Sequence, residues 1–154
     1  MKKILLVLFG LAPLAAYATL GENNTSIVQD NQVLASKSSL VVTKQLNTQA
    51  STNGKYTVSL IKATSNITVK EFSNDGKVFA VAWRGLHNPD LKQLLGSYFT
   101  AFKVTKPTYV SLTSREIKDS DLVVRTSGVI GDFHGLAYIP SLLPAGVQPS
   151  DLSK

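Results

Sequence analysis

The sequence has no cysteine. Disulfides, thiolate metal sites and a cysteine nucleophile are therefore excluded. Many small exported domains rely on disulfide staples; this chain must rely on packing and strand pairing. Histidine is scarce, with only His87 and His134. A zinc site takes three or four His, Cys, Asp or Glu ligands, and these two share no ligand spacing, so neither a metal site nor a cofactor is expected. The glycines stand mostly singly, which leaves no phosphate-cradling loop. Runs of like charge are missing, and because the chain reads as exported, nucleic acid is not an expected partner. Long apolar stretches are missing too, apart from one at the start.

That one stretch is informative. Lys2 and Lys3 precede Ile4 to Leu14, an apolar run interrupted only by Gly10 and Pro13. Ala16-Tyr17-Ala18 then offers small residues at the two positions a signal peptidase must fit. This is the order of a secretory signal peptide. The run is about eleven residues, whereas a helix needs roughly twenty to span a bilayer. Residues 1–18 are expected to be cleaved, with the mature chain starting at Thr19 and no membrane span left in it. Losing Lys2 and Lys3 lowers the formal charge from +6 to about +4. The remaining length is enough for one domain with its own core.

Residues 19–54 are rich in Asn, Gln, Ser and Thr and contain no aromatic residue. They read as a poorly ordered polar segment or linker, with Leu40-Val41-Val42 as one short strand. The compact domain is expected over residues 55–154. Tyr56, Val58 and Leu60 alternate with Thr57, Ser59 and Ile61, and Ile67 to Phe72 reads as a second strand. Asn74-Asp75-Gly76 then signals a hairpin. The return strand, Lys77 to Trp83, is apolar on both faces, as a central strand covered on both sides would be. Asn88 is the expected N-cap and Pro89 the first position of a helix ending near Lys103. Leu91, Leu94, Leu95, Tyr98, Phe99 and Phe102 form its apolar stripe. Residues 112–120 read as a polar connection. Leu122 to Arg125 and Phe133 to Ile139 read as strands, with Ser127-Gly128 as a turn or bulge. The expected fold is α+β: an antiparallel sheet with one amphipathic helix packed on a face.

The stretch Gly76-Lys77-Val78-Phe79-Ala80-Val81-Ala82-Trp83, followed by Pro89-Asp90-Leu91 and Leu94-Leu95-Gly96-Ser97-Tyr98-Phe99, resembles an exported proteobacterial family. So do Asp121-Leu122-Val123-Val124, Gly135-Leu136-Ala137-Tyr138-Ile139-Pro140 and Leu143-Pro144-Ala145-Gly146-Val147. The family is domain of unknown function 2844. The resemblance covers the chain from about Ile67 onward, together with the signal peptide. It implies a Gram-negative source and export to the periplasm, and it carries over no catalytic residues.

Catalytic constellations are weak. Ser127, Asp132 and His134 supply the residue types of a hydrolytic triad, but no G-x-S-x-G elbow is present. Ser59-Leu60-Ile61-Lys62 matches S-x-x-K, yet a spacing of three on a strand sends the two side chains to opposite faces. A glycosidase needs two carboxyls about 5–9.5 Å apart. Glu71, Asp90, Glu116, Asp119, Asp121 and Asp132 are available, and nothing in the sequence selects a pair.

Two loop-flanked clusters stand as binding candidates: Trp83, Arg84 and His87 after one strand, and Asp132 with His134 at the start of another. Packing alone is the simpler account of Trp83 and of Gly131 and Gly135. The expected function is a non-enzymatic periplasmic or secreted binding or accessory domain, with an envelope protein or polysaccharide as partner. The alternatives are a small envelope hydrolase and a self-associating structural component.

Overall fold

The computed structural model describes residues 20–23, 44–51, 54–63 and 66–153. The signal-peptide residues and the strand expected at Leu40-Val41-Val42 lie outside them.

The fold is α+β. Eight strands form one antiparallel sheet: β1 (Lys44–Ser51), β2 (Gly54–Ala63), β3 (Ile67–Asn74), β4 (Lys77–Gly85), β5 (Thr108–Tyr109), β6 (Ser114–Asp119), β7 (Leu122–Val129) and β8 (Asp132–Tyr138). Their spatial order is β1-β2-β3-β4-β8-β7-β6-β5. Two four-stranded meanders thus meet at the centre, where the last strand of each pairs with the other. The helical segment between them comprises α1 (Leu91–Leu95), a 3-10 turn at Gly96–Tyr98, and α2 (Phe99–Val104).

Local chemistry explains the first hairpin. Asp75 and Gly76 both take positive φ, at 48° and 78°, and Asn74 pairs with Lys77 across them. Such a turn carries the twist that two paired strands need. The next strand, β4, is buried from Val78 to Trp83, as its two-sided apolar sequence requires at the centre of a covered sheet. Its register against β3 shifts between Ser73↔Val78 and Phe72↔Ala80. Phe79 is the extra residue of this β-bulge.

The two sides of the sheet bury different partners. On one side Val69, Val81, Trp83, Val124, Ala137 and Ile139 pack under Leu94 and Leu95, with Leu91, Tyr98, Phe99 and Phe102 at the margin. On the other, Tyr56, Phe72, Phe79, Val123 and Tyr138 pack under the C-terminal tail through Val147 and Leu152. Tyr56, Phe72 and Phe79 form an aromatic cluster with ring centroids 5.9–6.3 Å apart. The tail ends in α3 (Pro149–Leu152). Asp121 holds its start, accepting from Ser141 N at 3.1 Å and Ser141 Oγ at 2.5 Å.

Several expectations need correction. The N-cap is Asp90, whose carboxylate accepts from Lys92 N at 2.9 Å and Gln93 N at 3.2 Å. Asn88 accepts instead from the Trp83 indole. The helical stretch runs from Leu91 to Val104, close to the expected end, with a 3-10 turn at Gly96–Tyr98 where Gly96 takes positive φ, at 51°. Residues 114–119, read as connection, are β6. Only Ile117 of this strand is buried, so it shows no apolar alternation to detect. The turn after β7 is at Ile130–Gly131, where Gly131 has φ +87°, and Gly128 lies inside the strand. At the N-terminal side, β1 begins the sheet before Lys55. Leu20 is in the core, and Gly21 N donates to Val78 O at 2.8 Å.

Candidate functional site

A groove of about 1170 Å³ opens on the tail side of the sheet. Its floor follows from strand parity. Alternate residues of an antiparallel sheet share a face, and paired residues stand side by side. One rung runs Thr68, Arg84, His134, Ser127, Ser114 across β3, β4, β8, β7 and β6. The next runs Lys70, Ala82, Leu136, Arg125, Glu116. Beyond it the floor becomes the apolar patch capped by the tail, and α3 stands as a wall through Pro149 and Leu152. Five strands at about 4.8 Å spacing give a floor about 19 Å wide.

Charges on this floor are arranged in pairs. Arg84 meets Asp132 two-pronged, Nε to Oδ1 at 3.0 Å and a terminal nitrogen to Oδ2 at 2.9 Å. Both side chains remain well exposed, at 73% and 43%, so the pair organises the floor more than it stabilises the fold. Arg125 Nε donates to Glu116 across β7 and β6. That bond holds the Arg125 guanidinium more firmly protonated than usual, against the opposing effect of its partial burial. Lys70, Arg84, Arg115 and Arg125 give the groove four cations beside His134, against the two carboxylates Asp132 and Glu116.

The candidate residues of the sequence divide between the two sides. Arg84, Asp132 and His134 share the groove. Trp83 borders it through β4, but its indole is 3% exposed and belongs to the helix-side core. There Trp83 Nε1 donates to Asn88 Oδ1 at 3.0 Å. The ring lies over Gly135, where an added Cβ would come within 2.2 Å of it; this close approach is what Gly135 permits. His87 is exposed in the loop before α1 and does not line the groove. Ser127 and His134 are cross-strand neighbours. The Ser127 hydroxyl bonds Ser114 Oγ at 2.7 Å, and Asp132 is engaged by Arg84, so neither is aligned on the imidazole as a triad requires. Of the six carboxyls considered for glycoside hydrolysis, Asp132 and Glu116 reach the groove. Glu71 is wholly buried and paired in register with Val81 on the helix side. Among the described residues no group of three or more His, Cys, Asp or Glu could hold a metal ion.

Thr68, Lys70 and Arg125 were not singled out from sequence, and Glu116 was considered only as one of six carboxyls. Parity could have reached Arg125, which sits two residues from the Val123 and Ser127 positions of one strand face. Lys70 and Glu116 come beside it only through the sheet order.

The family described as "protein of unknown function (DUF2844)" matches residues 16–152. The chain belongs to this family. No curated protein and no solved structure matches the chain. The DUF2844 match takes in Leu20 and every described strand, together with the tail through Leu152, so all of the groove lining except Ser153 lies within it. No helix among the described residues is long and apolar enough to cross a membrane.

Proposed function

We propose that this DUF2844 chain is an exported envelope binding module. Its groove takes a ligand bearing carboxylate or phosphate groups, such as an acidic envelope polymer. The observation that carries the reading is the surplus of cations on a wide, open floor whose two carboxylates are each held by a guanidinium. Guanidinium groups match carboxylate and phosphate geometry, and Thr68, Ser114 and Ser127 add hydroxyls along the same rung. Export is supported by the charged, apolar and A-x-A order of residues 2–18. Among the described residues the groove lining holds no exposed aromatic ring, which favours charge over sugar stacking as the basis of recognition.

The test is calorimetric titration with two probes, oligogalacturonate for carboxylate and inorganic polyphosphate for phosphate. Saturable, salt-sensitive binding to one of them is expected. Changing Arg84→Ala together with Arg125→Ala should weaken it at least about tenfold while leaving the thermal transition nearly in place. No binding of either probe, or equal binding by the double variant, would refute the reading.

A further inference from the structure

The end of the sheet where β4 stops and β8 starts carries an unusual set of side chains. Leu86 follows β4, Val129 ends β7 and Ile130 lies in the β7–β8 turn, and Val110 and Leu112 lie in the β5–β6 turn. All five are large, aliphatic and exposed, and Leu112 and Ile130 are completely so, at 105% and 100%. The turns are neighbours. Gly128 N donates to Thr113 O at 3.2 Å, which joins the two hairpin tips, and Gly85 pairs with Phe133 beside them. The result is an apolar ridge along one end of the sheet. Exposed aliphatic side chains gathered at one end of a sheet are the kind of surface that serves interaction.

Charge is polarised along the same axis. None of the residues 86–88, 110–113 and 129–131 is acidic. Lys62, Arg84 and Arg115 stand within two residues of strand ends there, against Asp132 and Glu116, which Arg84 and Arg125 hold. The opposite end carries Glu22, Asp75, Asp119 and Asp121 against Lys77 and Lys118. A molecule with this distribution turns its apolar end toward a negative surface.

We propose that this ridge docks on the surface of a bilayer containing anionic phospholipid, with Leu112 and Ile130 entering the acyl boundary. Shape decides the occupant. The two residues stand at hairpin apices with their whole side chains free, and convex tips suit a fluid apolar phase. A protein partner or a second copy would instead need a matching concavity. The exposed Tyr109 beside the β5–β6 tip suits the headgroup level, where aromatic residues concentrate. Leu86 and Val110 also line the groove, whereas Leu112 and Ile130, which carry the docking, do not, so the inference needs no particular groove ligand.

The experiment is vesicle cosedimentation of the protein purified from expression with its native leader, comparing wild type and the double variant Leu112→Asn, Ile130→Asn with identical N-termini. Vesicles of phosphatidylcholine alone and of phosphatidylcholine with phosphatidylglycerol serve as probes. Wild type should bind the anionic vesicles, release with added salt, and outbind the variant at least about tenfold. Circular dichroism should show the variant folded, since both positions are solvent-exposed. Equal sedimentation of the two proteins would overturn the proposal, as would binding that ignores phosphatidylglycerol. Absence of vesicle binding would also overturn it, and wild-type dimerisation that the variant abolishes, or capture of an acidic envelope protein by the ridge, would then identify the true occupant.

Discussion

The two sides of the sheet use the same strands for different ends. Under the helix, the described positions near the centre are filled mostly with aliphatic and aromatic side chains, with Glu71 also buried on that side. Under the tail, only the half near Tyr56, Phe72 and Tyr138 is sealed, and the other half is left as a polar floor. The helix spans its side because it returns from the end of β4 toward the start of β5. The tail has only the short segment from Pro140 to Leu152 with which to cover the other. The lesson is that β4, β7 and β8 can be central and buried without their neighbouring residues being structural. Val81 and Val124 face the core, while Arg84 and Arg125, a few positions along the same strands, face solvent.

Substitutions on the two sides should therefore separate sharply. Leu94→Ala removes a fully buried side chain from the helix-side core and is expected to cost about 2–5 kcal/mol in urea unfolding. A loss under about 1 kcal/mol would mean that the helix covers the sheet only loosely, and the contrast between sides would fail. Arg84→Ala breaks an exposed pair on the groove side and should change stability by only about 0.2–1 kcal/mol. A larger change would show that the groove floor is part of the structural core.

The smallest effect concerns pH. Burial, and after it the charges of Asp121 and Glu22, push the Tyr98 phenol above its ordinary 10.0. The folded state therefore holds this proton more tightly than the unfolded chain does. The associated stability is complete below pH 10 and is lost as pH rises through the raised value. Tyr98→Phe should stay within about 0.5 kcal/mol of wild type at neutral pH. Above pH 10 its thermal transition should fall less steeply than that of wild type. Parallel alkaline curves would place the titrating group elsewhere.

Legibility followed burial. β3, β4 and β8 were readable because each presents apolar residues in a period the sheet imposes, and the Asp75-Gly76 turn because few residues tolerate its backbone. β5 and β6 were not readable. They lie at the sheet margin, where Ser114, Glu116 and Lys118 face solvent or the groove and no alternation is needed. The helix was legible as a stripe but not at its boundaries. Asn88, Pro89 and Asp90 are all plausible starts, and only the indole of Trp83 decides that Asn88 is used elsewhere.

The candidate site was half visible. Arg84, Asp132 and His134 were in view as loop-flanked polar residues, because they sit where strands end. Trp83 and His87 were grouped with them by adjacency in the chain, yet a strand sends Trp83 to the opposite face, and His87 leaves with the loop. Lys70, Arg125 and Glu116 join the floor across strand pairs that sequence does not specify.

By itself, the sequence determined the α+β class, the central two-sided strand, the hairpin at Asp75-Gly76 and the apolar stripe that covers one face. These follow from local periodicity and backbone preference, which act over a few residues. Tertiary structure alone decided the order in which the two meanders meet, the pairing of Arg84 with Asp132, and the alignment of three apolar turns at one end. Those depend on which strands become neighbours, and that is settled by burying both faces of β4 at once, a condition no single segment contains.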